Sequence, residues 1–317
     1  MPRHHADDPD IHEEGVQRTP DVRLVDDARA WMMQKSARYT VHYGENLRFA
    51  GQHLPPPDVL RVPTRHGEVD VHLYLPEDPD GPPPVYVHFH GGAFLMRYPE
   101  MDDWWCRYLA ATAGVAVANV DFDVAPQVRY PVAQEQGHDV AAWLAQHGDG
   151  VGVDGTRLVV GGFSSGGQVA ASVCLQARDH GTFTPVLQVL GVPALDLAAE
   201  VTDTQGMVGP ALRRLVRRTY FPDVERRSEP YASPSLARDL GGLPPTVVLT
   251  AERDALCREG NLYATRLRAA GVDVTHDVTP GVDHYFLTED PLRARWTMML
   301  VAARVRTACG LPPRSAD

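Results

Sequence analysis

The chain has almost no lysine. Lys35 is the only one among 317 residues, so 29 of the 30 cationic side chains are arginine. Forty-one acidic residues leave a net charge of −11, without the clustered cations that non-specific nucleic-acid binding needs, so no nucleic-acid partner is expected. Cysteine is scarce too: Cys106, Cys174, Cys257 and Cys309 are widely spaced and form no C-x-x-C pair. Buried free thiols are therefore expected, with Cys257 a packed thiol and not a nucleophile. No apolar run approaches the length of about 18 residues that would span a bilayer. The N-terminus, Met1-Pro2-Arg3-His4-His5-Ala6-Asp7-Asp8, offers no apolar core for a signal peptide, so a cytoplasmic location is expected. His4, His5 and His12 read as part of a disordered polar tail. Against these absences stands an ordinary 44% of hydrophobic residues, enough for one α/β domain with a small addition.

Two short motifs carry the chemistry. The first runs from the apolar stretch Leu158-Val159-Val160 into Gly161-Gly162-Phe163-Ser164-Ser165-Gly166-Gly167. A G-x-S-x-G turn between a buried strand and a helix is the setting of a nucleophilic serine. Its glycines allow a turn too sharp for side chains, and the following helix start favours developing negative charge. The second motif, upstream, ends the apolar run Val85-Tyr86-Val87-His88-Phe89 with His90-Gly91-Gly92-Ala93-Phe94. Glycines let backbone N–H groups approach an oxygen that is becoming an oxyanion. Gly91, Gly92 and Ser165 are the candidate donors. His88 and His90 make an H-x-H pair that a strand would point to one side, but no third ligand accompanies them and no metal is expected.

A serine nucleophile needs a base and an acid, which this type of fold supplies later in the chain. The strand-like Thr246-Val247-Val248-Leu249-Thr250 leads into Glu252 and Asp254, and the β-branched 272–279 stretch leads into Asp283-His284. His284 is the candidate base. Asp254, Glu252 and Asp283 all remain candidate acids on position alone, since functional groups of an open parallel sheet sit in loops past the strand ends.

These residues resemble the hormone-sensitive-lipase-like branch of the α/β-hydrolase esterases. The likeness lies in His90-Gly91-Gly92-Ala93, Gly162-Phe163-Ser164-Ser165-Gly166-Gly167, Asp254-Ala255-Leu256 and His284-Tyr285-Phe286. Val124-Ala125-Pro126 with Tyr130-Pro131-Val132, and Ser233-Pro234-Ser235-Leu236 before Gly242-Leu243-Pro244-Pro245, extend it over residues 58 to 310. The resemblance selects Asp254 as the acid and makes Ser164, Asp254 and His284 a catalytic triad. It implies an oxyanion hole at Gly91, Gly92 and Ser165, with His90 bracing the loop. It also implies hydrolysis of small or short-acyl carboxylic esters through an acyl-enzyme, with no cofactor or metal, and a homodimer through the last strand and helix. Departures are Phe163 for a polar elbow residue, Ala93 for the last loop glycine, Phe122-Asp123 for Tyr-Arg, and Gln127 for Glu. The same fold also serves amidases, lactonases and non-catalytic small-molecule receptors, the last of which typically lose the histidine.

The predicted fold is an α/β-hydrolase fold: an eight-stranded, mostly parallel sheet flanked by helices, with a helical cap. Strands are expected at 59–64, 69–75, 85–89, 115–121, 157–161, 186–190, 246–250 and 272–278. An amphipathic helix is expected over 21–36, and further helices at 103–113, 133–147, 167–178, 258–270 and 291–308. Residues 1–50 are assigned to a tail and cap helices, 51–195 and 233–317 to the catalytic domain, and 196–232 to a helical cap insertion. Arg213, Arg214, Arg217 and Arg218 in that insertion read as a solvated helix face. Phe94, Leu95, Met96, Tyr285 and Phe286 are the candidate pocket lining.

Overall fold

A computed structural model describes residues 20–41, 44–200 and 206–312; the tail with His4, His5 and His12 lies outside them. The strands are β1 (Asp58–Thr64), β2 (Gly67–Tyr74), β3 (Pro84–Phe89), β4 (Ala116–Val120), β5 (Asp154–Phe163), β6 (Leu187–Gly191), β7 (Thr246–Ala251) and β8 (Val274–Thr279). They form a single sheet in the order β1-β2-β4-β3-β5-β6-β7-β8. Only β2 runs against its neighbours; from β4 to β8 every pair is parallel.

Around the sheet lie α1 (Pro20–Thr40), α2 (Asp103–Ala113), α3 (Val132–His147), α4 (Ser165–His180), α5 (Pro210–Thr219), α6 (Cys257–Ala269), α7 (Phe286–Glu289) and α8 (Pro291–Ala308). All six residues of β3 are buried, because successive side chains point to opposite faces and both faces are covered. Val85, Val87 and Phe89 join the core beneath α3, α4 and α6, while Tyr86 joins the one beneath α2 and α8. Each fully buried Val or Leu in these layers contributes about 1.5–3 kcal/mol.

α4 is buried on every side from Ser165 to Ala177. Its small residues allow that approach, and its polar ones are bonded: Gln168 Nε2 donates to the carbonyls of Tyr231 (2.6 Å) and Ala232 (3.0 Å). The helix ends at Gly181 in the left-handed region (φ 63°), as a helix C-terminus favours. At the other end of the chain Asp290 caps α8 by accepting from Arg293 N at 3.0 Å, with Pro291 in the first turn.

Three expectations need adjusting. α4 starts at Ser165, two residues before the expected position, so the Ser165 N–H belongs to the helix's unsatisfied first turn. Among its described residues the 196–232 segment holds one α-helix, α5, and one 3₁₀ turn at Glu225–Ser228; 201–205 lie outside the described residues. Third, α5 does not present a solvated arginine face. Arg217 is buried, and Arg218 Nε lies 3.1 Å from the buried Asp26 carboxylate of α1. All four cysteines are free.

Candidate active site

The serine turn follows β5, a central strand of the sheet. Ser164 has φ 55° and ψ −116°, a strained conformation for a residue with a side chain and one that functional turns retain. Its surroundings hold it there. Ser164 N donates to Gly191 O at 2.8 Å, and Ser164 O accepts from Gln168 N at 3.1 Å and Ala194 N at 3.2 Å. The flanking glycines are dictated by contact. A Cβ at Gly166 would lie 1.9 Å from Phe89 O and 2.4 Å from His90 O, and one at Gly162 would lie 2.5 Å from both Gly166 O and Phe89 O.

Two loops bring the other groups to this serine. Asp254 follows β7 and His284 follows β8, and both are buried. His284 Nε2 lies 2.9 Å from Ser164 Oγ, and His284 Nδ1 lies 2.8 Å from Asp254 Oδ2. A carboxylate can only accept, so Nδ1 carries the ring proton and Nε2 is left to accept from the hydroxyl. Asp254 is itself fixed through Oδ1, which accepts from Leu256 N at 3.0 Å. The rival acids face elsewhere. Glu252 Oε2 accepts from Gly281 N at 2.7 Å, and Asp283 accepts from His284 N at 2.7 Å and Met207 N at 2.8 Å.

Gly91 and Gly92 line the cavity over Ser164, as does Ser165. Gly92 has φ +112°, and a Cβ there would lie 2.8 Å from Met96 Cβ and 2.9 Å from Met96 O. The loop folds onto itself, with Gly92 O accepting from Leu95 N at 3.0 Å and Met96 N at 2.9 Å. Ala93 and Phe94 also adopt positive φ, 57° and 56°, so alanine here takes the conformation that a glycine would adopt without strain. His90 is buried and stacks on Phe122 with ring centroids 4.5 Å apart. Burial lowers its pKa, which keeps the ring neutral, and its Nδ1 lies 2.7 Å from Gly91 O. His88 does not share that environment: its Nε2 lies 2.9 Å from Asp102 in a fully buried pair. β3 ends at Phe89, so His90 lies in the loop and not on the strand that carries His88. Phe163, in place of a polar residue, packs edge-on to Trp105 at 5.0 Å and His88 at 5.8 Å.

Of the expected lining, Phe94, Met96, Tyr285 and Phe286 face the cavity. Leu95 does not. It is fully buried in the core, turned inward by the loop that Gly92 closes. Residues the motifs did not reveal complete the walls: Trp104 on one side, Leu212, Arg213 and Val216 of α5 on another, and Glu259 of α6. Leu212 and Val216 sit at i and i+4, a helical spacing that signals one shared face. Glu259 carries no motif. Its Oε2 accepts from Leu195 N at 3.0 Å and also from Asp196 N. Burial pushes its carboxyl up to about 8, the Asp196 carboxylate adds to the shift, and Arg213 opposes it.

Comparison with known proteins identifies the family. A family model described as alpha/beta hydrolase fold matches residues 86–288. The carboxylic ester hydrolase LipN of Mycobacterium tuberculosis is 32% identical over 260 residues, 76% of this chain and 69% of its own. The ethyl acetate hydrolase of Pseudomonas putida is 32% identical over 237 residues, 72% of this chain and 74% of its own. Among solved structures, an esterase of Pyrobaculum calidifontis superposes with a TM-score of 0.79 at 31% identity, covering 92% of this chain and 99% of its own. The chain thus belongs to the α/β-hydrolase fold family, in its hormone-sensitive-lipase-like esterase branch.

Proposed function

We propose that Ser164, His284 and Asp254 hydrolyse carboxylic esters by two-step acyl transfer. The observation that carries this reading is the continuous chain Ser164 Oγ to His284 Nε2, 2.9 Å, and His284 Nδ1 to Asp254 Oδ2, 2.8 Å. In the first step the hydroxyl proton passes to Nε2 as Oγ bonds to the ester carbon. The N–H groups of Gly91, Gly92 and Ser165 receive the oxyanion, each donor lowering the barrier by about 3 kcal/mol. Collapse expels the alcohol, which takes its proton from His284. A water molecule then attacks the acyl-enzyme by the same route and releases the acid. The chain is in this reading a serine carboxylic-ester hydrolase, and the named activities of its relatives support that assignment.

The substrate is a small or short-acyl ester, since aromatic and helical walls enclose the serine. In the division of labour that follows, α1 and the 196–232 segment form the cap, and 51–195 with 233–317 form the catalytic domain. A homodimer through β8 and α8 is favoured by the exposed Val278, Leu292, Trp296 and Met299, and light scattering reads it directly. Among the described residues no helix is long and apolar enough to cross a membrane. Fluorophosphonate labelling tests the nucleophile: the wild type is tagged and Ser164→Ala is not. A series of para-nitrophenyl esters from acetate to palmitate tests the substrate class. Turnover that survives both Ser164→Ala and His284→Ala overturns the mechanism, while a palmitate preference overturns only the size of the pocket.

A further inference from the structure

Besides the catalytic histidine, the charged side chains at the cavity over Ser164 stand on one wall: Arg213 and Arg217 of α5, Glu259 of α6 and Asp196 of the loop after β6. We propose that this wall selects esters bearing a carboxylate on one arm, with the Arg213 guanidinium as its receptor; the inference rests on the esterase reading above. Among the described residues Arg213 makes no side-chain hydrogen bond and no ion pair within salt-bridge distance, whereas its neighbour on α5, Arg218, lies 3.1 Å from Asp26. A guanidinium facing an apolar space keeps its donors available to a ligand. It holds a carboxylate through two parallel hydrogen bonds, which are stronger where water is excluded.

The neighbouring charges favour the same sign. Glu259 lies near enough to interact electrostatically with Arg213. Its carboxyl, raised by burial to about 8, is neutral at pH 7 and serves as acceptor for the Leu195 and Asp196 N–H groups. The Asp196 carboxylate is turned to its own loop, accepting from Ala198 N at 3.1 Å and Ala199 N at 2.8 Å. Arg213 therefore meets at the cavity one neighbouring carboxylate, Asp196, whose Oδ1 is held by backbone. The overall charge of −11 gives no long-range pull on an anion, so the preference arises on contact and not by steering.

The test uses matched ester pairs that differ in one carboxylate. On the acyl arm these are para-nitrophenyl hexanoate and the mono-para-nitrophenyl ester of adipic acid. On the alcohol arm they are phenyl acetate and 4-acetoxybenzoate. The quantity read is the ratio of kcat/KM, charged over neutral, with the uncatalysed rate subtracted. On at least one arm Arg213→Met is expected to lower this ratio about tenfold, Arg213→Glu to lower it further, and Arg213→Lys to keep most of it. Fluorophosphonate labelling of each variant confirms an assembled site. Ratios that stay within about twofold of wild type for both pairs in Arg213→Met and Arg213→Glu overturn the inference. So does a wild type that hydrolyses the neutral esters and refuses both charged ones. A wild type that hydrolyses none of the four fails the esterase reading instead.

Discussion

The cavity has two walls built on different principles. The wall on the sheet side, from Gly91 and Gly92 to Ser164 and Ser165, is shaped by backbone, with Gly166 packed behind it. Its dimensions are set by atoms in contact, and a single methyl on Gly166 would sit 1.9 Å from Phe89 O. The wall on the helix side is made of side chains. Leu212, Arg213 and Val216 project from α5, and Glu259 from α6, with none of them forced by a close backbone approach. Rigid backbone suits a reaction whose charge must be met at a fixed point, whereas adaptable side chains suit the recognition of whatever is attached to the ester. In the reading proposed above, chemistry belongs to the first wall and selectivity to the second.

That division breaks most sharply on the sheet side. Ser164→Ala and His284→Ala should each lower kcat by about 10⁴-fold or more, and the double variant should be no worse than either alone, because the residues act as one unit. Single-turnover and steady-state rates on para-nitrophenyl acetate read this; additive losses would mean that the two side chains act separately. Gly92→Ala comes next. Its Cβ would meet Met96 at 2.8 Å in a left-handed backbone, displacing the donors, and kcat should fall about 10²–10³-fold with KM changed far less. Should KM carry the loss instead, the loop binds substrate and does not stabilise an oxyanion.

The same division explains what could be read before any coordinates. Strands β3 and β5 announced themselves as apolar runs, and the glycines beside them have to be glycine, so the turn that carries Ser164 was legible in five residues. Asp254 was not separable from Glu252 and Asp283 by position. They lie in the two loops after β7 and β8, and only the resemblance preferred one of them, since which carboxylate reaches Nδ1 depends on how those loops fold. Leu95 shows the limit on the other side. Its neighbours Phe94 and Met96 face the cavity, but the turn closed on Gly92 O sends Leu95 inward, and loop residues have no period from which to infer this. The arginines of α5 misled for a related reason. A run of cations reads as solvated, yet Arg217 is buried and Arg218 pairs with Asp26 of α1, a helix remote in sequence.

On the helix side effects should be smaller and should fall on selectivity. Leu212→Trp fills part of the cavity, and the ratio of kcat/KM on hexanoate to that on acetate should drop about tenfold, the scale on which a hydrophobic pocket discriminates chain length. The ester series measures it. An unchanged ratio would remove α5 from substrate selection and leave the sheet wall to do both tasks.

Glu259 offers the finest test, because it belongs to the helix wall and yet behaves as part of the interior. Its folded-state value of about 8 lies above the ordinary carboxyl value of 4.5. A carboxyl raised in this way holds its proton more tightly when folded. The associated stability is complete below the unfolded value and is lost as pH rises toward about 8, where ionisation must occur beside the Asp196 carboxylate with Arg213 as the nearest counter-charge. Glu259→Gln keeps an acceptor for the Leu195 and Asp196 N–H groups and cannot ionise. Relative to the variant, the wild type should therefore lose thermal stability between about pH 5 and about pH 8, at roughly 2 °C for each kcal/mol. Melting midpoints of both proteins at the two pH values decide the matter. A parallel pair of curves would mean that Arg213 already holds Glu259 ionised, and the helix wall would then present a closed ion pair rather than an open guanidinium.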